Sequence, residues 1–68
     1  MISYDRFWAT LKNKKITQYA LIKKHGFSTA LLNRLRHNQP INLTTADYIC
    51  NLIDCKIEDI VEILPNEK

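Results

Sequence analysis

The sequence predicts an all-α chain of five short helices packed as one domain over residues 1–68. Three observations predict it. Apolar side chains recur at helical spacing in stretch after stretch. Gly occurs once and Pro twice in 68 residues, which suits helices joined by short connectors. Thr17, Ser28 and Asn42, residues whose side chains accept early backbone N–H groups, stand directly ahead of three of those stretches. A hydrophobic content of 46% argues for a folded chain, though one this short has a thin core.

The first helix is expected from Ser3, as its cap, to about Lys12. Tyr4, Phe7, Trp8 and Leu11 fall at i, i+3, i+4 and i+7, one stripe of large side chains for a small core. Asn13-Lys14-Lys15 is a polar connector, and Ile16 can act as an apolar staple before Thr17. The second helix spans about Gln18 to His25 and ends at Gly26, where a left-handed residue can turn the backbone. Ser28 caps a third helix from about Thr29 to Arg36. His37 to Asn42 is a loop that Pro40 keeps out of helix. Asn42 caps a fourth helix, about Leu43 to Ile53, with Leu43, Ala46, Ile49, Cys50 and Ile53 as its stripe. After a turn at Asp54-Cys55-Lys56, a fifth helix is expected from about Ile57 to Leu64, burying Ile57, Ile60, Val61 and Leu64. Pro65 ends it, and Asn66 to Lys68 read as a tail.

Charge is divided along the chain. Residues 6–46 hold no Asp or Glu and eight of the ten basic residues, whereas residues 47–68 hold six acids and two bases. A solvated face normally mixes signs, so the acid-free run points to a polyanionic partner. The third helix gives that partner a surface to meet. At about 100° per residue, Ser28, Leu31, Leu32 and Leu35 cluster on the core side. Ala30, Asn33 and His37 face outward, with Thr29 and Arg34 at the edges. This face is polar, uncharged at its centre and carries a small Ala, which suits close approach to base edges in a major groove.

The stretch from Thr17 to Arg36 resembles the DNA-binding helix-turn-helix of the phage lambda repressor and Cro class, particularly its small stand-alone regulators. The resemblance rests on Thr17-Gln18 opening the second helix, Leu21, the turn Gly26-Phe27-Ser28, and Leu32 and Leu35; it extends from Ile2 to Leu64. The class usually has Ala four residues before Gly26, where this chain has Ile22. The resemblance implies a lambda-repressor-like fold, a third helix in the major groove and a second helix across the backbone. It implies a sequence-specific regulator of transcription, expected to repress, with double-stranded DNA and a second copy of the chain as partners. Gln18 matches the family position that meets a phosphate. Lys14, Lys15, Thr17, Lys24, Ser28, Arg36 and Asn38 join it as phosphate candidates, and Thr29, Ala30, Asn33, Arg34 and His37 are the base-reading candidates. Tyr48, Val61 and Ile63 can supply a dimer contact or complete the monomer's own core. The alternative function is a protein-interaction module of the same fold, such as an antitoxin or antirepressor.

Other chemistry finds little support. One Gly excludes a phosphate-binding P-loop, no H-E-x-x-H occurs, and the acids lie far in sequence from His25 and His37, so no enzyme is expected. Cys50 and Cys55 lack metal-ligand spacing and read as free thiols; no metal, cofactor or small-molecule substrate is expected. No leader and no apolar run of about 18 residues is present, so a soluble cytoplasmic protein without membrane contact is expected.

Overall fold

The computed structural model describes residues 1–66. Strand β1 (Ile2–Ser3) leads into α1 (Asp5–Asn13), α2 (Gln18–His25), α3 (Thr29–Arg36) and α4 (Leu43–Ile53). A 3₁₀ turn (Ile57–Asp59) and β2 (Glu62–Ile63) follow. The predicted helical class is present, with four α-helices and a minimal two-stranded sheet among the described residues.

Helices α2, α3 and α4 begin where their caps place them. Thr17 Oγ1 accepts from the Ala20 N–H at 3.0 Å, Ser28 Oγ from Leu31 at 3.3 Å and Asn42 Oδ1 from Thr45 at 2.8 Å. Each bond satisfies one of the donors that a helix start leaves without a partner. Gly26 ends α2 at φ 66°, and the next N–H, on Phe27, donates back to the Leu21 carbonyl at 3.0 Å. Phe27 is thereby driven into the core, stacking on Phe7 at 6.3 Å and on Tyr48 at 6.2 Å between ring centroids.

The core combines Tyr4, Phe7 and Leu11 of the first stripe with Leu21, Phe27, Leu32 and Leu35 from the helix pair, and with Ala46, Ile49, Ile53 and Ile60 from the C-terminal half. Trp8 and Ile16 pack half-buried at its margin. The Tyr4 hydroxyl donates to the Gln39 carbonyl at 2.6 Å, and burial raises its pKa above the ordinary range. Cys50 and Cys55 are free and half-buried. Burial, reinforced by the neighbouring Cys50, pushes the Cys55 thiol up to about 11. Among the described residues no helix is long and apolar enough to cross a membrane.

Three local expectations are corrected. Ser3 does not cap α1. It lies buried in β1, its Oγ accepts from the Asp5 N–H at 3.3 Å, and Tyr4 takes the cap position. The Tyr4 N–H is satisfied instead by Asn38 Oδ1 at 3.1 Å. The fifth helix is replaced by the 3₁₀ turn and β2, which pairs antiparallel with β1 in the register Ile2↔Ile63 and Ser3↔Glu62. Ile57, Ile60, Val61 and Ile63 are β-branched, and a helix of two turns has little stability of its own, so the backbone partner offered by β1 wins. Leu43 is 82% exposed and Ile57 43% exposed, whereas both were expected to be buried. Leu43 is the first residue of α4, where the helix has not yet entered the core. The tail is described only at Asn66; Glu67 and Lys68 lie outside the described residues.

A Cβ built on Gly26 would meet nothing within 4 Å, so any cost of adding one comes from the backbone alone. Gly26→Ala is expected to lower stability by about 1 kcal/mol or more, and Gly26→Asn by less, because Asn tolerates the left-handed region. Denaturant midpoints of the two variants check this; an unchanged midpoint for Gly26→Ala would contradict the turn assignment.

Candidate nucleic-acid interface

The turn at Gly26 joins α2 to α3, and the capped starts of both helices lie at the surface. Thr17 and Ser28 are exposed. Their oxygens accept from Ala20 and Leu31, and each hydroxyl hydrogen remains able to donate. The first-turn N–H groups beside them carry the positive end of each helix dipole. Two such ends, one on each helix, suit an anion.

Packing fixes which way α3 faces. Leu32 and Leu35 are buried and Leu31 is half-buried, which turns Thr29, Ala30, Asn33, Arg34, Arg36 and His37 to solvent. Ser28, expected on the core side, is exposed, because its side chain is committed to the cap. His37 closes the helix: its Nδ1 lies 2.8 Å from the Asn33 carbonyl, so that nitrogen donates and Nε2 is the atom directed elsewhere.

Arg36 and Gln18, 18 residues apart in the sequence, are brought together. The Arg36 guanidinium donates to Gln18 Oε1, tying the end of α3 to the start of α2. Gln18 keeps its amide hydrogens and Arg36 its remaining donors for an acceptor outside the protein. Lys14, Lys15 and Lys24 are exposed, Lys15 in the left-handed region at φ 57°. Asn38, at φ 53°, is also exposed, but its Oδ1 holds the Tyr4 N–H, so only its amide hydrogens can reach outward.

The electrostatics follow the division in the sequence. Among the described residues the one ion pair is Arg6–Glu62, at 3.2 Å. It ties α1 to the acidic C-terminal half, and Arg6 also donates to the Glu58 carbonyl at 3.3 Å. The basic side chains of α2 and α3 thus have no carboxylate partner among the described residues.

Two features escaped the sequence reading. Tyr19, next to Gln18 in the first turn of α2, is 71% exposed, and its hydroxyl stands available at the helix start. An aromatic with a polar tip on the open side of a helix start was the signal for it. Thr45 of α4 lines a shallow cleft with Ser28, Ala30, Leu31 and Arg34, so α4 borders the α3 surface. Nothing in the local pattern around Thr45 announces that contact.

Comparison with known proteins agrees with this arrangement. A comparison with curated proteins finds no match. Among solved structures, the chain is similar to the crystal structure of the transcriptional regulator VanUg, at 29% sequence identity and a TM-score of 0.81, covering 96% of this chain and 87% of that one. The sequence model of the Cro/C1-type helix-turn-helix DNA-binding domain matches residues 6–66. With the capped helix pair, the left-handed Gly26 and the exposed α3 face inside that match, the chain belongs to the Cro/C1-type helix-turn-helix DNA-binding family.

Proposed function

We propose that this DNA-binding regulator is a cytoplasmic, non-enzymatic repressor that acts as a homodimer and reads double-stranded DNA with α3 in the major groove. The observation that carries the reading is the outward face of α3. Ala30 and Asn33 are exposed at its centre, Thr29 and Arg34 flank it, and two capped helix starts frame it. Asn33 can pair bidentately with adenine, and Arg34 with guanine; Ala30 and the Thr29 methyl can touch a thymine methyl. His37 offers Nε2 at the far end. Thr17, Gln18 and Ser28 grip phosphate at the helix starts, Gln18 steadied by Arg36. Lys14, Lys15, Lys24, Arg36 and the amide of Asn38 extend that grip, and the exposed Tyr19 and the Thr45 that borders α3 join it.

Selection of bound duplexes from a randomised DNA pool tests base reading. Wild type is expected to return a defined consensus. Asn33→Ala is expected to lose information at particular base pairs, a loss of about 1–3 kcal/mol in discrimination, while non-specific binding persists. The fold is expected to survive because Asn33 is exposed. The same consensus at the same information content from Asn33→Ala would refute its role.

Phosphate contact has a separate signature. Counterion release makes affinity fall with salt, with a log–log slope of about −3.6 for four phosphate contacts and about twice that for a dimer. Lys24→Ala and Arg36→Ala are expected to flatten the slope by about one unit per chain and to weaken all sequences alike. Fluorescence anisotropy across a salt series reads both. A flat salt dependence would refute polyanion binding and favour a protein partner.

A further inference from the structure

We infer that Cys50 and Cys55 form a dithiol site which a small-molecule disulfide oxidises to an intramolecular disulfide, a reversible modification that locks the C-terminal end of α4. Cys50 stands on α4, and Cys55 follows the helix end. Between them Asp54, in the left-handed region at φ 55°, turns the chain out of the helix. The Cys50 carbonyl accepts from the Asp54 N–H and, at 3.0 Å, from the Cys55 N–H. In a helix end closed this way, the side chains at the two ends of the longer bond meet, and an apolar contact ordinarily joins them. Here both side chains are thiols. The chain has two cysteines, and both occupy this one pair of positions.

The two thiols are unlike. Both are free and half-buried against the core. Cys50 also lines a shallow surface cleft with Leu43, Ala46, Asp47 and Ile57, where a small reagent can reach its sulfur. The Cys55 thiol is held protonated by burial and by the neighbouring Cys50. Cys50 is therefore the thiol that attacks first, and Cys55 the one that closes the bond. Five residues separate Cys50 from Thr45, about 140° around the helix, so the dithiol lies on a different face of α4 from the residue that borders α3. The site thus stands apart from the proposed DNA-reading surface.

The exchange balances. Cys50 loses its proton to solvent, and its sulfur attacks one sulfur of the small disulfide. A mixed disulfide forms on Cys50, and one small thiolate leaves and takes up a proton. Cys55 then gives up its proton, and its sulfur attacks Cys50 Sγ. The second small thiolate is expelled and is protonated in turn. The protein loses two electrons and two protons, and the small disulfide gains both and is reduced to two thiols. Little Cys55 is ionised at neutral pH, but its attack is intramolecular and needs no second encounter. A reducing compartment keeps such a pair as thiols, and the bond forms as the ratio of small disulfide to thiol rises. Once formed, it constrains the unfolded chain, so the fold and the bond stabilise each other.

The test equilibrates the full reduced chain with mixtures of oxidised and reduced glutathione, blocks the remaining thiols by alkylation, and reads intact mass and peptide maps. Wild type is expected to lose about 2 Da, one hydrogen from each thiol, with Cys50 joined to Cys55 within one chain. In urea, half-oxidation is expected to need a ratio of oxidised to reduced glutathione about tenfold higher or more, because the fold no longer holds the pair together. The oxidised chain is expected to melt about 5 °C or more above the reduced one. Cys55→Ser is expected to stop with one glutathione on Cys50, and Cys50→Ser to react about tenfold more slowly or less. Wild-type chains that keep both thiols, stop at glutathione adducts or pair between chains overturn the proposal. A pair that forms as readily in urea as in the folded chain overturns it too, and that comparison needs neither serine variant to fold. Faster reaction of Cys50→Ser than of Cys55→Ser contradicts the order of attack.

Discussion

The left-handed turn at Gly26 is the constraint on which the rest of the molecule depends. At φ 66° it lets the chain leave α2 and enter α3 within a few residues, and the Phe27 N–H bond to the Leu21 carbonyl fixes the exit. The turn also aims Phe27 between Phe7 and Tyr48, so one backbone conformation joins α1, the helix pair and α4 into a single core. With that core in place Leu32 and Leu35 can bury only one side of α3. The polar face follows from the packing, so the proposed DNA-reading surface is a consequence of how the apolar face is satisfied.

Charge then separates what the fold has arranged. The acid-free run from Arg6 to Ala46 covers α2 and α3 entirely. Six of the seven acids fall on the second half of the chain, where Glu62 draws Arg6 toward the sheet. That exposed pair contributes little stability. Its consequence is spatial: it engages one basic side chain with the acidic half, while Lys24, Arg34 and Arg36 remain without carboxylate partners among the described residues.

What the sequence revealed and what it concealed divide by the range of the interaction. Thr17, Ser28 and Asn42 cap helices through bonds to residues three positions on, and Gly26 acts on its own dihedral, so all four were legible. The outward face of α3 was legible because a helix wheel needs only spacing. The β1–β2 pair joins Ile2 to Ile63 through strands of two residues, too short for any alternation to announce them. The apolar spacing from Ile57 to Leu64 fits a helix equally well, and only the distant partner strand decides the matter. Leu43 fitted the stripe of α4 by spacing, yet it precedes the part of the helix that reaches the core. The Gln18–Arg36 bond and the approach of Thr45 to α3 arise where helices cross, which no local pattern encodes.

The central claim is that the Gly26 turn presents α3 and the starts of α2 and α3 to DNA. Following the backbone amide resonances during titration with a selected duplex tests it most directly. The account predicts that the largest shifts fall at Gln18 and Tyr19 and from Thr29 to His37, while Asp5 and Ala9 on the exposed side of α1 stay in place. Shifts concentrated on α1, with α3 unmoved, would contradict it.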